Sequence, residues 1–299
     1  MNIIKNLFSI KDLENLSGVK AHTIRIWEKR YDILQPMRTD TNIRYYDTVH
    51  LQKLLNISLL HHHGYKISEI AVLSDNALNT LVKETASDKS AQNHAVNAFK
   101  MAMMSFNQQL FIETYNNLIT HKTFKEIFYE AFLPLLSELG LLWQTETITP
   151  AHEHFISHLI RLKLLRNTEL IQANEPTRKD RVFILFLPLN EIHELGLLYV
   201  NYELLRHGYQ TLYLGESIPK ENLSEIFKHF ENVTFVCYST VEPKKEQLND
   251  YIASLENELL QKANSKLWLL GSATAFINPK NISSKVVLIN SLQKLELYL

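Results

Sequence analysis

Val182-Phe183-Ile184-Leu185-Phe186-Leu187-Pro188-Leu189-Asn190-Glu191-Ile192-His193-Glu194-Leu195-Gly196 is the stretch from which the rest of the chain can be read. Its first six residues are apolar without alternation, as in a strand buried on both faces of a parallel sheet. Pro188 breaks the run, and a helical pattern opens at Leu195. Ligands of open α/β sheets bind beyond the carboxyl ends of such strands. His193 stands there. Its imidazole suits a first-row transition metal, and Glu191 could hold the ring's other nitrogen. Alone, His193 reads equally well as a hydrogen-bonded loop histidine.

Downstream, strand and helix patterns alternate. Strands are expected at Val182–Leu187, Thr211–Leu214, Val233–Tyr238, Lys266–Leu270 and Lys285–Ile289, with helices at Leu195–His207, Lys220–Phe230 and Lys244–Ala263. This predicts a flavodoxin-like, five-stranded parallel α/β domain with right-handed crossovers, over residues 180–299. Upstream, residues 92–173 keep a 3.6-residue period through Phe106, Leu110, Tyr115 and Leu118, then Ile127, Phe128, Ala131, Phe132, Leu135 and Leu136. That period predicts a central four-helix bundle. The polar stretches Lys83–Asn93 and Ala173–Asp180 read as linkers, and residues 1–80 as an N-terminal domain.

The 299 residues are 45% hydrophobic and carry a net charge of −1, so no global field draws the chain to nucleic acid and any basic surface is local. Residues 1–70 hold ten Lys/Arg against seven Asp/Glu, most of the cations lying between Lys20 and Arg44. Cys237, the single cysteine, lies in the apolar run Val233–Tyr238 and reads as a small buried hydrophobe rather than a redox thiol. One cysteine fits a reducing interior, and no apolar stretch reaches about 18 residues. A cytoplasmic protein without a membrane partner is expected.

In the N-terminal domain Ser9 is a candidate helix cap ahead of Leu13 and Leu16, Gly18 permits a tight turn, and a second helix is expected from Ala21 to Tyr31. This is a helix-turn-helix pattern, whose second helix enters the major groove. Trp27 is expected to pack in the core beside Ile24 and Tyr31. His61-His62-His63 reads as helix surface, because adjacent helical residues point apart and a metal needs convergent ligands.

Three segments, Ser17-Gly18-Val19, Thr23-Ile24-Arg25-Ile26-Trp27-Glu28-Lys29-Arg30-Tyr31 and Arg44-Tyr45-Tyr46, resemble the MerR family of winged helix-turn-helix regulators, in its branch with a Trp-Glu-x-Arg-Tyr run. The resemblance assigns Lys20, Thr23, Arg25, Arg30, Tyr31, Arg44 and Tyr45 to DNA contact. Thr41-Asn42-Ile43 replaces a glycine-bearing turn in the wing. Further along, Glu191-x-His193-x-x-Gly196 resembles the Asp-x-His-x-x-Gly loop of cobalamin-binding domains, whose histidine ligates cobalt from below. Trp143, followed after nine residues by Glu153-His154, resembles the helical-bundle cap of cobalamin-binding MerR regulators, which shelters an adenosyl group. An indole can lie against a flat ring system and a carboxylate can accept from ribose hydroxyls. By themselves these three residues read as a core Trp and two surface groups. Ser239-Thr240-Val241 is similar to the family's Ser-x-Leu motif near the nucleotide tail. Gly271-Ser272 stands where many relatives have two glycines, and Ser272 is expected to narrow that slot.

The resemblance implies a MerR-type transcriptional repressor that senses adenosylcobalamin, through His193 on cobalt and Trp143, Glu153, His154, Glu191, Gly196, Ser239 and Gly271 around the cofactor. It implies a non-enzymatic DNA-binding homo-oligomer, with RNA polymerase as a further partner. In the light-responsive branch, the cofactor trapped between bundle and α/β domain fixes one oligomer, and photolysis of the cobalt–carbon bond loosens it. Gln144 replaces a histidine that can take cobalt's upper position there, so cobalamin binding is expected more firmly than a bis-histidine photoproduct. Two rivals stand beside this reading. The sensor fold could have lost cobalamin and serve only oligomerisation or partner binding, or the cobalt loop could belong to a corrinoid enzyme subunit.

Overall fold

The first helix begins where its cap residues put it. In the computed structural model of the chain, which describes residues 7–85, 88–262 and 264–299, the Ser9 hydroxyl accepts from Asp12 N while Asp12 accepts from Ser9 N at 2.8 Å. This capping box opens α1 (Ile10–Ser17), and Gly18 ends it at φ 75°. The next helix, α2 (Ala21–Tyr31), has Lys20 at its start, which offers no side-chain acceptor. Glu14 supplies one instead, accepting from Ala21 N at 3.1 Å and from Lys20 Nζ at 3.2 Å. Its hydrogen bonds, led by that from Lys11 and followed by that from Ala21 N, lower its pKa to about 2.

A short hairpin follows, β1 (Met37–Arg38) pairing antiparallel with β2 (Arg44–Tyr45). At its tip Asn42 adopts φ 64°, the conformation a glycine would take, and accepts from Arg38 Nη1 at 2.6 Å. The wing therefore forms without glycine. Then come α3 (Thr48–His62), α4 (Ile67–Ile70) and α5 (Asp75–Glu84).

The stretch Lys83–Asn93 is mostly not a linker. It is helical through Glu84 and again from Asp88, where α6 (Asp88–Met104) begins; residues 86 and 87 lie outside the described residues, as does Lys5 of the basic set. Polarity had suggested a linker, but the stretch holds neither Gly nor Pro to stop a helix. The bundle continues with α7 (Gln108–Ile119), α8 (Phe124–Ile127), α9 (Leu133–Gln144) and α10 (Pro150–Gln172). Between α8 and α9 a π turn, Phe128–Phe132, shifts the bonding so that Leu133 N reaches Phe128 O. Pro134, which has no N–H to donate, follows directly.

Residues 1–160 and 161–299 form two compact units. The core of the first includes Phe99, Phe111, Tyr115 and Phe124 gathered round Phe132, with ring centroids 5.3, 6.0, 6.2 and 6.5 Å from it. All five rings are buried.

The second unit is a parallel sheet in the order β4-β3-β5-β6-β7. Its strands are β3 (Arg178–Phe186), β4 (Tyr209–Gly215), β5 (Val233–Tyr238), β6 (Lys266–Leu270) and β7 (Val286–Ile289), with α11 (Leu195–Arg206) between β3 and β4 and α12 (Leu248–Leu259) between β5 and β6. Residues 178–180, expected in a linker, join β3 through backbone pairing of Arg178 with Tyr209. The Arg178 guanidinium lies 3.9 Å from the Tyr209 ring centroid, so a cation–π contact replaces the apolar burial that marks the rest of the strand. The segment Lys220–Lys228, expected as an α-helix, is wound as tighter 3-10 turns around buried Leu223. α12 is shorter than its pattern, whose last residue, Ala263, lies outside the described residues. Among the described residues no helix is long and apolar enough to cross a membrane.

Removing the hub ring of the bundle leaves a cavity its neighbours cannot close. Phe132→Ala is expected to cost about 3–5 kcal/mol, read as an earlier guanidinium transition by circular dichroism. An unchanged midpoint would show that Phe132 is not the hub.

Candidate functional site

Glu191 organises the carboxyl end of the sheet. Its side chain is fully buried. Oε1 accepts from Ile192 N at 2.9 Å, from His193 N at 3.0 Å and from His193 Nδ1 at 2.5 Å. Oε2 crosses to the loop after β5, accepting from Thr240 N, Val241 N and Glu242 N at 2.9, 2.7 and 2.9 Å. Burial alone would raise the carboxyl's pKa. The bonds from His193, Val241 N and Glu242 N outweigh it and hold the group well below the ordinary carboxylate range. The ion so kept accepts from Nδ1–H, and in that tautomer the imidazole lone pair lies on Nε2. His193 is 45% exposed at its side chain, enough to meet a ligand.

Neighbouring residues explain the spacing around this loop. A Cβ at Gly196 would lie 2.1 Å from Tyr238 Cζ, so α11 can start beside that ring only with glycine. Burial and the Glu191 charge raise the Tyr238 phenol to about 12. At Gly271, φ is 97° and a Cβ would lie 2.1 Å from Ser239 O. The ends of β5 and β6 therefore approach backbone to backbone. The buried Ser239 donates to Glu242 O at 2.7 Å, and exposed Ser272 donates to Thr240 O at 3.1 Å. Ser272 thus ties the β6 loop to the β5 loop. Glu194, next to His193, receives Arg161 Nε and the Tyr213 hydroxyl, the latter at 3.0 Å. Cys237 is buried, and burial raises its thiol far above the usual range.

The first unit holds the other expected cofactor residues. Trp143 is 55% exposed at the end of α9, so it is not the core tryptophan its position suggested. Glu153 is half-buried and His154 exposed in the first turns of α10, and Gln144 is exposed. The intervening loop is fixed: Thr147 N bonds Leu142 O at 2.9 Å, and Asn15 Nδ2 of α1 donates to the Thr147 hydroxyl at 2.9 Å. Buried Lys100 reaches Leu16 O at 3.4 Å and pairs with Glu138.

On the helix-turn-helix, Arg25 and Arg30 are exposed and Thr23 and Tyr31 half-buried. Arg30 lies over the Tyr31 ring at 5.3 Å. Lys20 is exposed but pairs with Glu14 at 3.2 Å. Arg44 and Tyr45 are half-buried on the wing. Sequence reading missed what positions them. Glu28 accepts from the hydroxyl of fully buried Tyr46 at 2.6 Å and pairs with Arg44 Nε at 3.3 Å, fastening α2 to the wing. Burial and Glu28 push the Tyr46 phenol far up. Trp27 is buried, its ring edge-on to His61 at 5.3 Å. His61, His62 and His63 bond three different carbonyls, those of Tyr65, Ser58 and Leu59.

Together these features make a winged helix-turn-helix in the first unit and, in the second, a parallel α/β sheet with an exposed histidine beyond β3. Residues 8–77 match the MerR HTH family regulatory protein domain and residues 95–165 the B12 binding domain. The chain thus carries a MerR-type helix-turn-helix region and a B12-binding region. It is similar to the HTH-type transcriptional repressor CarH of Myxococcus xanthus, at 28% identity over 89% of this chain and 89% of that protein. It is also similar to the repressor CarA of the same organism, at 24% identity over 70% of this chain and 68% of that protein. The monomethylamine corrinoid protein of Methanosarcina barkeri shares the fold, with a TM-score of 0.56 and 15% identity over 69% of this chain and 97% of that one. Both named relatives are transcriptional repressors.

Replacing Glu191 by Ala removes the shared acceptor of three amides on the β5 loop. A loss of about 3 kcal/mol or more is expected, and less for Glu191→Gln. Because the folded pKa is depressed, the wild-type carboxylate's contribution is present above the unfolded value of 4.5 and lost as pH falls through the lower folded value. Glu191→Gln should lack that acid step in an unfolding series. Parallel pH profiles for the two proteins would count against the assignment.

Proposed function

We propose that the chain is a cobalamin-sensing transcriptional repressor that takes adenosylcobalamin and responds to light. The observation that carries the reading is His193, exposed beyond β3, with Nδ1 held by a buried carboxylate that stays ionised. This donor fits a cobalt ion, because a fixed Nδ1–H leaves Nε2 as the ligating atom and increases its basicity. Gly271 lets the β6 loop lie against Ser239, beside the expected place of the nucleotide tail.

When bound, adenosylcobalamin supplies a cobalt–carbon bond that visible light can break. His193 would hold the cobalt through Nε2, and Glu191 would keep the imidazole oriented. Trp143, exposed and aromatic, would shelter an adenosyl group, and Glu153 and His154 would offer it polar contacts. The Asn15–Thr147 bond joins the loop between Trp143 and Glu153 to the first helix of the DNA-binding module. Arg25, Arg30, Arg44, Lys20, Thr23, Tyr31 and Tyr45 meet the duplex, chiefly at phosphates. Cofactor occupancy favours one oligomer, and several DNA-binding modules then engage an operator together, a gain on the order of 100-fold when the spacing fits.

The test is spectral and hydrodynamic. Protein loaded with adenosylcobalamin in the dark is expected to be coloured, to show a base-off spectrum, and to elute as an oligomer that becomes smaller after illumination. His193→Ala should lose the base-off, histidine-on signature. Colourless wild-type protein would instead support a sensor fold that serves oligomerisation without cofactor.

A further inference from the structure

The exposed face of α2 carries one aliphatic side chain among polar and cationic ones. Ile26 is 47% exposed, whereas Ile24 and Trp27 on the same helix are buried. Residues three and four apart are neighbours on a helix surface, so Ile26 is framed by His22, Thr23, Lys29 and Arg30. Of these His22, Lys29 and Arg30 are exposed, as is Arg25 on the adjoining stripe. The helix's one acid, Glu28, is taken up by Tyr46 and Arg44. A lone exposed isoleucine is ordinary on a protein surface. One centred in a cationic field, on the helix presented to the duplex, has a narrower use.

We propose that Ile26 is a specificity-determining residue that reads the C5-methyl group of thymine in the operator's major groove. The inference rests on the DNA-binding reading above and deepens it. The surrounding cations require a polyanionic partner, and the major groove offers both phosphates and, at thymine alone, a methyl group on the base edge. Lys29 and Arg30 contribute affinity for any duplex, since phosphate contacts carry no sequence information. Ile26 supplies discrimination without charge.

Full-length protein, with adenosylcobalamin in the dark and without cofactor, selects duplexes from a randomised pool. Each thymine of the selected duplex is then replaced by uracil, which pairs identically and lacks the methyl. Wild type is expected to lose about fourfold in affinity at one or two thymines, the worth of one buried methyl. Ile26→Ala should bind the thymine duplex more weakly by a similar factor and show no further loss with uracil. Its melting temperature, its affinity for random duplex and its salt dependence should match wild type, because no phosphate contact is removed. Ile26→Gln should move the preference at that position from thymine toward adenine.

Equal uracil penalties in wild type and Ile26→Ala would overturn the proposal, as would uracil having no effect on wild type. So would equal weakening of Ile26→Ala on random and selected duplex. A wild-type protein that enriches no duplex from the pool would overturn the DNA-binding reading itself, and this inference with it.

Discussion

One buried carboxylate holds the sensor's loops in place. Glu191 takes three N–H bonds on each oxygen, five of them from backbone amides and one from the His193 ring. Backbone N–H groups converging on an anion form a concavity of positive potential, and that potential keeps the group ionised despite its burial. Two consequences follow together. The loop after β3 cannot move independently of the loop after β5, and the His193 ring is fixed in the tautomer that can ligate a metal. In the related loop pattern an aspartate stands here. Here the Glu191 carboxylate reaches Thr240, Val241 and Glu242 while holding Nδ1.

The DNA-binding module uses the same device. Glu28, on α2, accepts from buried Tyr46 and pairs with Arg44, so helix and wing are fixed to each other by a carboxylate within the protein. The Trp-Glu-x-Arg-Tyr run and the Arg-Tyr-Tyr run are thus two halves of one contact. Of the residues in them, Trp27 and Tyr46 build the core, Glu28 fastens, and Arg25, Ile26 and Arg30 remain exposed.

Much of the architecture was legible in the sequence because burial imposes period. Val233–Tyr238 and Lys266–Leu270 are strands at their expected bounds, and Ser9, Gly18 and the Ala21–Tyr31 helix lie where capping and turn chemistry put them. Polarity misled where it stood in for geometry. Lys83–Asn93 is largely helical because it holds neither Gly nor Pro to stop a helix, and Arg178–Asp180 extends β3 through backbone pairing that no side-chain pattern announces. At the carboxyl end of the sheet, the places of His193 beyond β3 and of Gly271 after β6 were legible because the strands before them are apolar runs. The reach of Glu191 across 49 to 51 residues and the Glu28–Tyr46 clamp were not, since a long-range hydrogen bond leaves no local signal. Asn42 could have been recognised, because asparagine tolerates the positive φ that a tight wing turn needs.

The most direct test of the account is the protonation state of one imidazole. Nitrogen-15 NMR of the cofactor-free protein at neutral pH, with the His193 ring assigned through His193→Ala, reads which nitrogen carries the proton. The account predicts a ring protonated at Nδ1, with a strongly deshielded proton shared with Glu191 and an unprotonated Nε2. A neutral ring protonated at Nε2 would contradict it, for the metal-facing nitrogen would then have no lone pair to give.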